Sequence, residues 1–176
     1  MRRFSSDERE EFESIALVHT DALRRMARRL LRCDGLAEDA VQETLLCAWR
    51  AFRQFQPDTN CRAWLFRILL NGIRKTGRRA LPLIGLPPGQ SLDNLVATGS
   101  PFASLAYSEA IAAIDALPEE QRSVLLAAVE GFACREISSM LAIPIGTVMS
   151  RLSRSRAEVR NALNHGLRAR DRKRRA

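Results

Sequence analysis

Two sets of side chains in this sequence have the types and spacing to engage a nucleic acid. In CRAWLFRILLNGIRKTGRR, Trp64, Arg67, Asn71, Arg74 and Arg78 recur at steps of three or four, so a helix aligns them on one face. An indole stacks an unpaired base, an amide donates and accepts at a base edge, and guanidinium groups hold a phosphate backbone. Contact with duplex alone needs no tryptophan. The residues by themselves also fit a plainer reading, with Trp64 in a core and the others on a solvated face. In IPIGTVMSRLSRSR, a proline and a glycine break one helix, and Thr147 is placed to start the next. At about 100° per residue, Val148, Leu152, Ser155, Val159 and Leu163 share one face. Ser150, Ser153, Arg154, Ala157 and Asn161 lie opposite, with Arg151 on one flank and Met149, Arg156 and Arg160 on the other. Small outward residues let a helix backbone approach a surface while arginines reach base edges or phosphates, which suits insertion into a major groove. The competing reading is a solvated, arginine-rich helical hairpin.

A third set has the opposite charge. Glu38, Asp39, Gln42, Glu43 and Leu46 form an acidic stripe with one apolar member. Such a stripe repels DNA, so a functional role for it requires a basic protein partner; complementing the dipole of a helix start accounts for Glu38 and Asp39 better than for Glu43. No carboxylate cluster or His/Cys nucleophile set falls on a basic face, which argues against a nuclease or other nucleic-acid enzyme.

The background to these sets is a chain of 176 residues with formal charge +8, pI near 10.5 and 46% apolar residues, enough for real cores and suited to an anionic partner. Only Lys75 and Lys173 among its 28 basic residues are lysine. Arginine is the better bidentate ligand for phosphate and guanine, although a GC-rich genome gives the same bias. Cys33, Cys47, Cys61 and Cys134 are far apart and His19 and His165 lie near opposite ends, so reduced thiols are expected, with no metal site, disulfide framework or cofactor. No signal peptide or membrane span is read, and a cytoplasmic location is expected.

The elements that must position these residues are all helical. A first helix is expected after Ser5 and Ser6, with Phe12, Ile15, His19, Ala22, Met26 and Leu30 as one buried stripe up to a break at Cys33-Asp34-Gly35. His19 reads as a packed side chain. A second helix from Leu36 turns Val41, Leu45, Ala48 and Phe52 inwards, and RQFQPDTN is a loop. The third helix, from Cys61 to Arg79, buries Leu65, Ile68, Leu69, Gly72 and Ile73, and three such helices close a small bundle. Prolines and glycines without regular period mark a linker over residues 81–103. Beyond it, Tyr107, Ile111 and Ile114 open a second helical domain. Pro118 then starts a helix carried by Val124, Leu125, Ala128 and Val129 to a cap at Gly131. Ile137 and Leu141 anchor a short helix, residues 142–146 turn, and the outline is a helix-turn-helix. The expected fold is thus all-α, with two small helical domains, residues 1–80 and 104–168, and a basic tail at 169–176 read as disordered.

The ordered segments AEDAVQETLLCAWRAF, FQPDTNCRAWLFRILLN and LPEEQRSVLLAAVEGFACREISSMLAIPIGTVMSRLSRSR resemble the extracytoplasmic-function group of bacterial RNA polymerase sigma factors, from about Phe12 to Leu163. The resemblance implies a region 2 bundle followed by a region 4 helix-turn-helix. It places Asp39, Gln42, Glu43 and Leu46 against the clamp helices of the large subunit of the RNA polymerase core. It places the loop Phe55 to Asn60, Trp64 and Asn71, with Arg67, Arg74 and Arg78 on the same face, where promoter DNA is melted and flipped bases are captured. Ser150, Arg151 and Arg154, flanked by Thr147 and Arg156, match readers of the upstream promoter element, and the linker matches a segment threaded towards the polymerase active site. An anti-sigma factor is expected as a further partner, and no catalytic site. Met149 departs from the group's usual lysine or arginine, which removes a phosphate contact. The alternative is a stand-alone helix-turn-helix regulator of duplex DNA, which leaves the acidic helix and Trp64 without a role.

Overall fold

A computed structural model describes residues 5–56, 59–79 and 101–174, with side chains described as far as residue 75 in the first part and over residues 108–165 in the second. All the regular elements among these residues are helical. Helices α1 (Ser6–Ala16), α2 (Thr20–Leu31), α3 (Asp34–Ala51) and α4 (Cys61–Arg79) belong to one compact unit, and α5 (Pro101–Asp115), α6 (Glu119–Val129) and α8 (Ile145–Arg174) to a second. Between α6 and α8 in sequence lies the short α7 (Cys134–Leu141). The linker expected over 81–103 lies outside the described residues up to position 100, and α5 already starts at Pro101.

The first helix begins where its polar residues dictate. The Ser5 hydroxyl accepts from the Glu8 amide at 3.1 Å while the Glu8 carboxylate accepts from the Ser5 amide at 2.8 Å, a reciprocal cap that satisfies two end donors. The single helix expected up to Leu30 is instead two, because residues Leu17–His19 form a 3₁₀ turn, with the Thr20 hydroxyl donating to the Leu17 carbonyl at 2.7 Å. A 3₁₀ turn advances about 120° per residue instead of about 100°, so three residues shift the phase by roughly 60°. The buried set accordingly becomes Phe12, Ala16, Leu23, Met26, Ala27 and Leu30, and Ile15, His19 and Ala22 of the expected stripe are only half-buried. The break between α2 and α3 is made by Arg32, at φ 56°, and the extended Cys33, whereas Asp34 and Gly35, the rest of the expected break, lie in the first turn of α3.

Helix α3 packs on both α2 and α4 through Ala37, Val41, Thr44 and Ala48, with Leu45 half-buried and Phe52 buried just beyond its end. Among the described residues of this unit Thr44 is the one buried polar residue, and its hydroxyl donates to the Ala40 carbonyl at 2.7 Å. Helix α4 supplies Leu65, Phe66, Leu69, Leu70 and Ile73 to the core; Ile68 is half-buried and Gly72 is exposed, not inward. Phe66 is wholly buried, worth about 1.5–3 kcal/mol of apolar transfer for one side chain of this size.

In the second unit α8 packs against α5 and α6. Pro118 is the cap of α6 and not its first helical residue. Val124, Leu125, Leu126 and Ala127 are buried, whereas Ala128 is half-buried and Val129 points to solvent at 67% exposure. The helix ends with Gly131 at φ 89°, where the Phe132 amide donates to the Ala127 carbonyl and the Gly131 amide to the Ala128 carbonyl, so the last carbonyls are satisfied and only glycine adopts this backbone without strain. Ile137, Met140 and Leu141 of α7 are buried. Ala142, at φ 51°, turns the chain, and the Pro144 carbonyl accepts from the Thr147 and Val148 amides, so α8 starts at Ile145, two residues before the expected Thr147. The helix runs on to Arg174: the tail expected to be disordered continues it as backbone.

Candidate nucleic-acid interface

On α4 the aromatic member of the candidate face is anchored, not free. Trp64 is half-buried and its ring centroid lies 4.9 Å from that of Phe55, which stacks at 6.2 Å on the buried Phe52, itself 5.2 Å edge-on from Phe12. A ladder of rings therefore leads from the core out to the loop, and such offset aromatic contacts hold Trp64 at a fixed angle. The loop is tied to the helix by Asn60, whose Oδ1 accepts from the Ala63 amide at 3.1 Å. Arg67 and Asn71 are exposed on the same helix and Arg74 is half-buried. Trp64 and Asn71, seven residues apart, are separated by about 10 Å along the axis. Arg78 lies on the helix, with its side chain outside the described residues. The arrangement offers a ring face, a neutral amide and positive charge in line. His19, by contrast, is half-buried, and burial together with the charge of Arg62 holds its pKa below the usual histidine value.

The acidic stripe on α3 divides into two parts. Glu38 is turned back to α2, where its two oxygens accept from Arg24 Nε at 3.1 Å and Nη2 at 3.2 Å. That guanidinium holds the Glu38 carboxyl below the ordinary range. Asp39, Gln42 and Glu43 are exposed, beside Leu46 at 49% exposure, and among the described residues neither Asp39 nor Glu43 is ion-paired. The Cys47 thiol donates to Glu43 Oε1 at 3.3 Å, and burial, then Glu43, pushes that thiol's pKa up. An exposed acid pair with a leucine in the same stripe has the chemistry to complement a basic, partly apolar protein surface.

Helix α8 presents the two faces expected of it. Val148, Leu152 and Ser155 are buried and Val159 and Leu163 half-buried; Ser150, Ser153, Arg154, Ala157 and Asn161 are exposed, as are Met149, Arg156 and Arg160. Thr147 is half-buried, and its carbonyl accepts from the Ser150 hydroxyl at 3.0 Å. Arg151 differs from its neighbours: its guanidinium pairs with the Glu120 carboxylate of α6 and its side chain is only 20% exposed. The fully buried Ser155 donates to the Arg151 carbonyl at 2.7 Å and lies 3.3 Å from the Gln121 carbonyl. Neither Glu38's attachment to Arg24 nor Glu120's to Arg151 has a signal in local spacing, since the partners are 14 and 31 residues apart.

The four cysteines are free thiols, each half-buried, and no group of three or more His, Cys, Asp or Glu side chains converges among the described residues. No helix among them is long and apolar enough to cross a membrane.

Comparison with known proteins gives these surfaces a common context. Residues 17–80 match Sigma-70 region 2 and residues 107–159 match Sigma-70, region 4. The chain is 34% identical over 144 residues to the ECF RNA polymerase sigma factor EcfG of Rhodopseudomonas palustris, covering 81% of this chain and 80% of that protein. It is 30% identical over 160 residues to the ECF RNA polymerase sigma factor SigM of Mycobacterium tuberculosis, covering 90% and 80%. Among solved structures, the sigma factor RpoE of Bartonella quintana, crystallised with the anti-sigma factor NepR, superposes with a TM-score of 0.65 at 29% identity over 91% of this chain and 98% of its own. The chain therefore belongs to the sigma-70 family, as an extracytoplasmic-function sigma factor that binds RNA polymerase and directs it to promoters.

Proposed function

We propose how the two units share that work. Asp39, Gln42, Glu43 and Leu46 dock on the clamp helices of the core enzyme's large subunit. Trp64 and Asn71, with the loop from Phe55 to Asn60, capture unpaired bases of the downstream promoter element while Arg67, Arg74 and Arg78 hold the strand. Helix α8 lies in the major groove of the upstream element, with Ser150 and Arg154 at base edges, Thr147 and Arg156 around them, and Arg151 on the flank paired with Glu120. Residues 1–80 then act as the melting and core-binding domain, 81–103 as the linker and 104–168 as the upstream-reading domain. Bond making stays in the core enzyme, this chain contributing no catalytic group, and the work is done in the cytoplasm.

One observation supports this reading above the others. In a chain of charge +8, α3 exposes Asp39 and Glu43 without a cationic partner among the described residues, while Glu38 one position earlier is neutralised from within. A regulator that meets only DNA has no use for such a patch. An anti-sigma partner is also part of the proposal, by extension from the Bartonella quintana protein bound to NepR and from CnrH bound to the cytosolic domain of CnrY. Affinity capture of this chain from cell extract tests both partners: the large polymerase subunits and one small protein should co-purify. Capture without polymerase, together with tight operator binding by the free chain, favours a stand-alone regulator instead.

A further inference from the structure

We infer that Glu120 is a positioning residue that withholds Arg151 from phosphate contacts, so that α8 reads DNA through its small and arginine side chains without an added sequence-independent grip. The inference rests on the placement of α8 in the major groove proposed above.

Three observations carry it. The Arg151 guanidinium, on the flank of α8, is paired with the Glu120 carboxylate, and the Arg151 side chain is only 20% exposed whereas that of Glu120 is 71% exposed. The adjacent residue of α6 grips the next turn of α8: Ser155, with no exposed surface, has its hydroxyl 3.3 Å from the Gln121 carbonyl, and a side chain this small lets the two helices close on each other. Ser150, Ser153, Arg154 and Arg156 remain exposed on the same helix. A guanidinium on the flank of a groove-inserted helix is within reach of the sugar-phosphate backbone, and a phosphate contact raises affinity for every sequence alike. A carboxylate held against it competes for the same donors, because both ligands are anionic and bidentate. Glu120 thus acts as a brake on sequence-independent binding and fixes the flank of α8 to α6.

The test uses the full chain assembled with core polymerase and a promoter duplex selected by the parent holoenzyme from a randomised library, titrated over a potassium chloride series. Glu120→Gln, which keeps size and removes charge, should steepen the slope of log affinity against log salt by about 0.9, which, for equal affinities at about 1 M salt, amounts to roughly eightfold tighter binding at about 0.1 M for matched and scrambled duplexes alike. Arg151→Ala alone should leave the slope at its parent value, and Glu120→Gln combined with Arg151→Ala should return it there. A parent slope in Glu120→Gln overturns the inference, as does a slope flattened by Arg151→Ala alone. A double variant that stays steep shows a general charge effect and overturns it too. Circular dichroism melting confirms that each variant is folded. Arg154→Ala separates the underlying reading: if it leaves the selected base preference unchanged, the groove placement of α8 fails, whatever the slopes show.

Discussion

Reversing Asp39 and Glu43 together to arginine should abolish assembly with core polymerase while leaving the unit folded. Both carboxylates are exposed, and among the described residues neither forms an ion pair, so their loss removes no ion pair and only the exposed Cys47–Glu43 contact within α3. At an interface of complementary charge each reversal sets like charges together, costing about 2 kcal/mol or more, so the pair weakens assembly by roughly a thousandfold. Glu38 is the internal control. Its charge is committed to Arg24 at 3.1 and 3.2 Å, so Glu38→Gln should lower the thermal midpoint slightly and leave core binding at the parent level. Size-exclusion co-elution with purified core, backed by a fluorescence titration, separates the two. Co-elution of the folded double variant refutes the docking assignment, and equal weakening by Glu38→Gln shows that general negative charge, not this exposed pair, is what matters.

Three further outcomes are expected. Asn71→Ala, which removes an exposed neutral amide from the α4 face, should leave core binding unchanged and reduce permanganate reactivity of promoter thymines in the open complex. Backbone conformation gives opposite signs at two turns. Gly131→Ala, at φ 89°, should destabilise by about 1–2 kcal/mol, whereas Ala142→Gly, at φ 51°, relieves similar strain but loosens the unfolded chain and should change stability by less than about 1 kcal/mol; both are read by thermal melting. Acid sensitivity should depend on Glu8, whose carboxylate, bound to Arg53 at 2.7 and 3.0 Å, has its pKa lowered from 4.5 to about 2. Because the folded value is the depressed one, its contribution is full above pH 4.5 and is lost as pH falls towards 2. Glu8→Gln should therefore flatten that part of the midpoint-against-pH curve.

Most of what this chain is was legible in its residues. Helical spacing is a local property, so the limits of α4, the two faces of α8 and the burial of Val41 and Ala48 in α3 follow from patterns repeated every three or four residues, although Ala37 and Thr44 were not expected inside and Leu45 is only half-buried. Caps are local too, which is why Ser5 and Gly131 could be placed. Where local preference was nearly balanced, the expectation slipped. The 3₁₀ turn at Leu17–His19 moved the buried stripe off Ile15 and His19, and the left-handed turn fell at Arg32, just before the break expected at Cys33-Asp34-Gly35. The state of each charge, finally, was decided by tertiary structure alone. Glu38 and Asp39 are neighbours in sequence, and Arg151 and Arg154 differ by one turn, yet Glu38 and Arg151 are ion-paired while Asp39 and Arg154 are exposed. A charged group's role depends on the partner brought within about 4 Å of it, and that distance is set by how α2 packs on α3 and α6 on α8, contacts between segments whose separation along the chain leaves no periodic trace.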